Sequence, residues 1–235
     1  MGHDVFAFRQ FLIRQDRCAM KVGTDGVLLG AWAECPCPAR CLDVGTGTSV
    51  IALMLAQRFS DAIVDAIDVD GEACRQAFEN VSESPFADRV RVIESSLQAF
   101  EPLIAYDLIV SNPPYFVNSL KNPDRRRSLA RHADTLSYAD LFKGVGRLLA
   151  DGGVFSAIVP AESIEQFCGE ASLSGLFLIR KCGVKTTEKK PVKRYLLAFS
   201  RHRSGTFEEE DVCLSDESGE RSSWYRKITD SFYLR

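Results

Sequence analysis

Residues 40 to 59 read RCLDVGTGTSVIALMLAQRF. The segment 40–45 has the apolar content of a short buried strand, and 50–59 spaces its apolar residues as an amphipathic helix does. Between them lies DVGTGTS, 43–49. Glycines at a strand-to-helix turn let the backbone approach a ligand closely, and the helix start that follows favours negative charge. A dinucleotide fingerprint, GxGxxG, would need glycine at position 50, where Val50 stands. That disfavours a hydride-transfer enzyme. The stretch is nearer DxGxGxG, with Asp43, Gly45 and Gly47 matching, Thr46 between the glycines, and Ser49 in the last glycine's place.

Outward from this turn, strands and helices alternate. AIVDAIDVD (62–70), RVRVIES (89–95), YDLIVSN (106–112) and GVFSAIVP (153–160) read as strands. EACRQAFENV (72–81), SYADLFKGVGRLLADGG (137–153) and AESIEQFCGEAS (161–172) read as helices, the second closed by Gly152-Gly153. GLFLIRKCGV (175–184) and VKRYLLAFSR (192–201) are two strands with no helix between them, so one of them is antiparallel. The expected fold is α/β, a doubly wound, Rossmann-like sheet of seven mostly parallel strands with one antiparallel. Before it come a small hairpin within 5–22 and a short apolar helix over TDGVLLGAWAE (24–34), capped by Thr24 or Asp25. The chain is expected to form a single domain over 1–235. Its parts are an N-terminal extension (1–39), a catalytic core (40–203) and a tail packed on the core (204–235).

Composition bounds what such a fold does. The 235 residues are enough for a full core, and 46% hydrophobic with 26% charged residues suits a globular protein. No apolar run is long enough to span a membrane, and the N-terminus lacks the features of a secretory signal, so cytoplasm is the expected location. Eight cysteines include CPCPARC (35–41), but no second ligand pair stands at zinc-binding spacing; reduced thiols and no metal are expected. The net charge of −3 excludes a globally basic nucleic-acid binder. The charge is uneven, however, with DRRRSLARH (124–132) and KTTEKKPVKRYLLAFSRHR (185–203) basic and EEED (208–211) offsetting them.

Two strand ends carry chemistry. The second strand ends in Asp68, Val69 and Asp70; a carboxylate about 20 residues after the glycine turn can accept both ribose hydroxyls of a nucleoside, Asp68 being the better candidate and Asp70 the alternative. The fourth strand runs into SNPPYF (111–116). Two prolines cannot continue a central strand, so Asn112, Pro113, Pro114, Tyr115 and Phe116 emerge at its end.

Taken together, DVGTGTS, AIDVD and SNPPYF resemble class I S-adenosylmethionine-dependent methyltransferases with an NPPY motif. RQDRCAMKVGTDGVLLGAWA (14–33), RSLARHADTLSYADLF (127–142) and the closing FYL (232–234) are similar to one bacterial family in particular. That family methylates N6 of adenosine 37 in valine tRNA. The resemblance implies S-adenosylmethionine held by Asp43, Gly45, Thr46, Gly47, Asp68, Val69 and the third-strand end at Ser96 and Leu97, where many relatives place an aspartate. It assigns the two acceptors for the adenine amine to the Asn112 side-chain oxygen and the Pro113 carbonyl, which Pro114 helps to preorganise. Tyr115 supplies a stacking face and Phe116 a wall. Arg125, Arg126, Arg127, Arg131 and His132 then border the substrate, and Lys189, Lys190, Lys193 and Arg194 meet tRNA phosphates. His132 is read as structural or phosphate-contacting rather than as a general base. A monomer is favoured, the sequence itself leaving oligomeric state open.

Three rivals remain at this point. A protein glutamine-N5 methyltransferase offers an amide to the same acceptors, but its family carries an N-terminal helical domain that this chain is too short to hold. A guanine-N2 rRNA methyltransferase is the second, and a non-catalytic RNA-binding module of the same fold the third.

Overall fold

The computed structural model of the chain describes residues 4–18, 21–114 and 136–234. β1 (Val5–Ala7) and β2 (Leu12–Arg14) form the antiparallel hairpin, and α1 (Thr24–Trp32) follows. The alternating part runs β3 (Arg40–Val44), α2 (Val50–Arg58), β4 (Ile63–Asp68), α3 (Gly71–Ser82), β5 (Val90–Glu94) and β6 (Tyr106–Ser111). It continues with α4 (Tyr138–Leu148), β7 (Leu149–Pro160), α5 (Ile164–Leu173), β8 (Phe177–Lys185) and β9 (Val192–Ser200). β10 (Glu208–Cys213) and α6 (Ser223–Thr229) close the chain.

The main sheet has the order β10-β8-β9-β7-β6-β3-β4-β5. β9 is antiparallel to both β7 and β8, and the other pairs are parallel. This is the doubly wound class expected, with the last hairpin supplying the reversed strand. The strand count differs: eight, where seven were expected. The extra strand is β10, whose acidic run offers little β-propensity of its own. It forms because opposite charges line up in parallel register with β8: Lys181 Nζ meets Glu209 at 2.7 Å, Lys185 Nζ meets Asp211 at 2.9 Å, and Arg180 meets Glu208 at 3.3 Å.

Side-chain alternation sorts each central strand between two cores. Cys41, Leu108, Val110, Leu196 and Ala198 face one layer with α1, α2 and α6. Leu42, Val44, Ile109, Leu197 and Phe199 face the other with α4 and α5. Covered on both faces, these strands read in sequence as nearly continuous apolar runs. The second core is aromatic: Phe142 meets Phe155, Phe167 and Phe199 edge-on at 5.5, 4.8 and 5.6 Å between ring centroids.

Three local expectations are corrected. α1 has Gly23 at its N-cap position with no side-chain cap; Asp25 instead accepts from Arg194 Nε at 2.8 Å, far along the chain. α2 is not half-exposed but buried from Val50 through Ala56, because α1 lies across its outer side. Gly30 permits that approach, since a Cβ there would sit 2.8 Å from the Met54 sulfur. Gly152-Gly153 do not stop a helix. α4 ends at Leu148, and the pair lies in a bulge of β7, where pairing with β6 jumps from Tyr106–Leu149 to Leu108–Val154. A Cβ on Gly153 would stand 2.9 Å from the Tyr106 carbonyl.

Candidate cofactor and substrate site

β3 lies between β4 and β6, so the carboxyl ends of β3 and β6 flank the point where strand order reverses. In such sheets ligands bind in that crevice. The glycine turn leaves the end of β3 and is pinned to its neighbour, the Gly45 and Thr46 amides donating to the Ile67 carbonyl at 2.9 and 3.0 Å. Gly45 and Gly47 have φ of +74° and +54°, and a Cβ on either would meet nothing within 4 Å. Glycine is needed there for the left-handed backbone, and beside it is open space. Ser49 occupies the same left-handed region at φ +63° while fully buried at the α2 N-cap. Its place in a glycine-rich pattern thus has a backbone reason.

Asp43 sits beneath the turn with no exposure. Its Oδ2 accepts from Thr46 Oγ1 at 2.7 Å and from the Ala52 amide at 3.2 Å. Oδ1 is buried with no hydrogen-bond partner among the described residues. Burial pushes its pKa up to about 7, against the pull of those two donors.

The two acids ending β4 separate cleanly. Asp70 accepts from the Glu72 amide at 2.9 Å and caps α3. Asp68 faces the turn, its Oδ2 accepting from the Gly47 amide at 2.9 Å and its Oδ1 from the Asp70 amide at 3.0 Å. Val69 beside it is half exposed, an apolar surface at the mouth of the crevice.

At the end of β5, Ser96 is half-buried and its hydroxyl accepts from the Ala99 amide at 3.2 Å. Leu97 belongs to the core by its side chain, packed against Gly144 of α4, and its carbonyl accepts from Arg147 at 2.8 Å. The side chain and the carbonyl of Leu97 are thus both engaged within the protein.

On the other flank, Ser111 ends β6 and its hydroxyl donates to the Val44 carbonyl at 3.0 Å. That bond ties the last residue before Asn112 to the last residue before the glycine turn. Asn112 is half-buried, Pro113 buried and Pro114 exposed. Tyr115, Phe116, Arg125, Arg126, Arg127, Arg131 and His132 lie outside the described residues. Lys189 and Lys190 are exposed on the β8–β9 turn, and Lys193 and Arg194 follow on β9. Arg194 pairs in register with Pro160, which places this group on the sheet's carboxyl edge with Asn112.

Sequence reasoning missed how the N-terminal segment joins the site. Buried Asn80 of α3 donates to the carbonyls of Arg14 and Thr48 at 2.9 and 3.0 Å and accepts from the Arg14 amide at 2.8 Å. Gln76, also buried, accepts from the Arg17 amide at 3.1 Å. The chain after β2 is thereby stitched along α3, beside the glycine turn. Burial and, after it, the charges of Asp68, Asp70 and Asp16 push the Cys18 thiol up to about 11. The only sequence signal was a pair of amides on a helix face otherwise suited to burial.

The methyltransferase small domain model matches residues 26–157. The chain belongs to that family. Curated relatives of this methyltransferase agree over its length. It is 47% identical to a Parabacteroides distasonis protein and 44% to one of Bacteroides fragilis, each over 100% of both chains. It is 48% identical to a Trichodesmium erythraeum protein over 86% of this chain and 87% of that one. All three are named tRNA1(Val) (adenine(37)-N6)-methyltransferase. Among solved structures, an Agrobacterium tumefaciens protein described as a predicted O-methyltransferase superposes with a TM-score of 0.69 at 16% identity, covering 88% of this chain and 96% of its own. At that identity the likeness is one of fold.

The methyl donor of this class I methyltransferase is S-adenosylmethionine. The crevice fits such a group: open space beside two left-handed glycines, a carboxylate at the end of β4, and an exposed apolar Val69 next to it. Among the described residues no group of three or more His, Cys, Asp or Glu is placed to hold a metal, and all eight cysteines are free. No described helix is long and apolar enough to cross a membrane.

Proposed function

We propose that this methyltransferase methylates N6 of adenosine 37 in tRNA1(Val), in the cytoplasm, with Asn112 and Pro113 as the groups that hold the reacting amine. The observation that carries the reading is the Ser111–Val44 bond, which sets Asn112-Pro113-Pro114 at the crevice edge beside the Gly45–Gly47 turn. Relatives named tRNA1(Val) (adenine(37)-N6)-methyltransferase match over the whole chain.

The cofactor supplies an electrophilic methyl on its sulfonium. The glycine turn and Asp68 would hold its methionine and ribose parts, and Val69 would flank its adenine. The target amine is a weak nucleophile because its lone pair is delocalised into the purine ring. Two acceptors, the Asn112 Oδ1 and the Pro113 carbonyl, would take its N–H bonds and orient its lone pair for attack. Their positions are set before the substrate arrives, so little reorganisation is left for the transition state. Tyr115 and Phe116 would form the stacking wall for the extruded base. The ammonium product loses its proton to water.

The test is to incubate the purified protein with S-adenosylmethionine and unmodified tRNA1(Val), digest the RNA and analyse its nucleosides by mass spectrometry. N6-methyladenosine confined to the anticodon-loop fragment is expected. Methylation of guanine, or of a glutamine-containing protein substrate in its place, would overturn the reading.

A further inference from the structure

A cavity of about 220 Å³ opens on the same sheet edge, away from the glycine turn. It is bounded by the start of α1, the ends of β8 and β10 and the start of β9. Buried Leu28 and Val184 lie beneath it and half-buried Leu214 lines it, while Lys185, Lys193 and Arg194 stand at its rim. Two rim cations are held in place, Lys185 by Asp211 at 2.9 Å and Arg194 by Asp25 at 2.8 Å. Lys193 is exposed, and no ion-pair partner for it is found among the described residues. With Asp25 lining and Asp211 adjoining, the rim keeps a net positive charge.

Its position follows from strand pairing. Ser111 pairs with Ala157, and Ala157 with Leu197, so Asn112 stands level with Ile158 and Leu196. Arg194 therefore lies slightly farther out along the same edge. Strands in a sheet are ~4.8 Å apart, so β9 is roughly 10 Å and β8 roughly 14 Å from β6. A chain of nucleotides whose target base enters beside Asn112 reaches this cavity with a neighbouring residue.

We propose that the cavity is a second subsite, which takes the base of a nucleotide flanking the target adenosine while the cationic rim holds that nucleotide's phosphate. This rests on the RNA-methylating reading and adds to it a site for the flank. Size supports a base rather than a whole small molecule, since sites for drug-sized ligands run ~300–1,000 Å³. So does chemistry: the half-buried Leu214 gives one apolar wall for a base, and lysine and arginine at the rim suit phosphate.

The experiment uses the intact protein and a tRNA1(Val) anticodon stem-loop, with single abasic nucleotides placed in turn on either side of the target adenosine. In the wild type one flanking position is expected to raise KM by about tenfold when made abasic, roughly the effect of losing one buried apolar face. Leu214→Trp fills the cavity, and Thr186→Trp blocks it from the exposed rim should the first variant fold poorly; circular dichroism and S-adenosylmethionine binding check both. Each variant is expected to raise KM for the intact stem-loop by a similar factor and to become indifferent to the abasic position. A folded variant that keeps the wild-type KM and the wild-type flank dependence overturns the subsite while leaving the methylation reading intact. Absence of methyl transfer from the wild type to any of these RNAs overturns both.

Discussion

The carboxylate of Asp68 accepts the amide of Gly47 at 2.9 Å. An acid at the end of one strand thus holds the glycine turn at the end of the next. The same side chain is the one expected to meet the cofactor ribose, so its removal does two things. Asp68→Asn keeps an acceptor for Gly47 and loses the charge; it is expected to weaken S-adenosylmethionine by ~1.5–3 kcal/mol with the fold retained. Asp68→Ala frees the turn as well and should cost more. Calorimetry on both variants checks this, and unchanged affinity in Asp68→Asn would move the ribose contact elsewhere.

Asn112→Ala is expected to slow methyl transfer ~100-fold or more while tRNA affinity stays within a few-fold of wild type. On the proposed mechanism one acceptor would touch the reacting amine, whereas phosphate contacts would supply most of the binding. Single-turnover rates beside filter-binding affinities decide it.

Ser49 pays for its left-handed φ of +63° with a Cβ. Such a conformation costs an L-residue ~1–2 kcal/mol, so Ser49→Gly should stabilise the protein by about 1 kcal/mol. Among the described residues the hydroxyl's one hydrogen-bond partner is Thr46 Oγ1 at 3.4 Å, a weak bond to lose. Ser49→Ala keeps the strain and should not stabilise. Urea unfolding of the three proteins separates backbone from hydroxyl.

Asp43 makes stability depend on pH with a definite sign. Its ordinary value is 3.8 and burial raises it to about 7 in the fold. Between those values the native state holds a proton that the unfolded chain has released. The Asp43 contribution therefore falls as pH rises from about 4 to about 7, by at most ~1.4 kcal/mol per pH unit, and is flat above. Other carboxylates add their own slopes, so the quantity to follow is the difference between wild type and Asp43→Asn, measured by denaturation from pH 5 to pH 8.

Lys189 and Lys190 are exposed on the turn, whereas Arg180, Lys181 and Lys185 are matched by the acids of β10. If the turn lysines meet phosphates, replacing both with alanine should flatten the slope of log affinity against log salt by roughly 1.4–1.8. All tRNAs should weaken alike, and the choice of adenine should persist. Binding titrations at several salt concentrations read the slope directly.

What the sequence by itself determined was local. A strand running into Gly45 and Gly47 and then a helix is written in neighbouring residues, and so is Asn112-Pro113-Pro114 at the end of an apolar run. Periodicity and turn chemistry act over a few residues, which is why the alternating strands, a reversed strand in the last pair and the two strand-end motifs are legible in the sequence; that the reversed strand is β9 is settled by its pairing. The tertiary structure decided whatever depended on strand order. Only when β8 and β10 lie side by side do Glu209 and Asp211 become partners for Lys181 and Lys185, turning an acidic tail segment into an eighth strand. Asp25 reads as a helix cap until the fold brings Arg194 to it. Gly152-Gly153 read as a helix stop until β6 crowds the backbone at Tyr106. Asn80 reads as one polar residue on a helix until it bonds Arg14 and Thr48 and draws the N-terminal segment to the glycine turn. Each of these contacts joins residues distant in sequence or repays itself only once two elements are packed, and no local pattern encodes that energy.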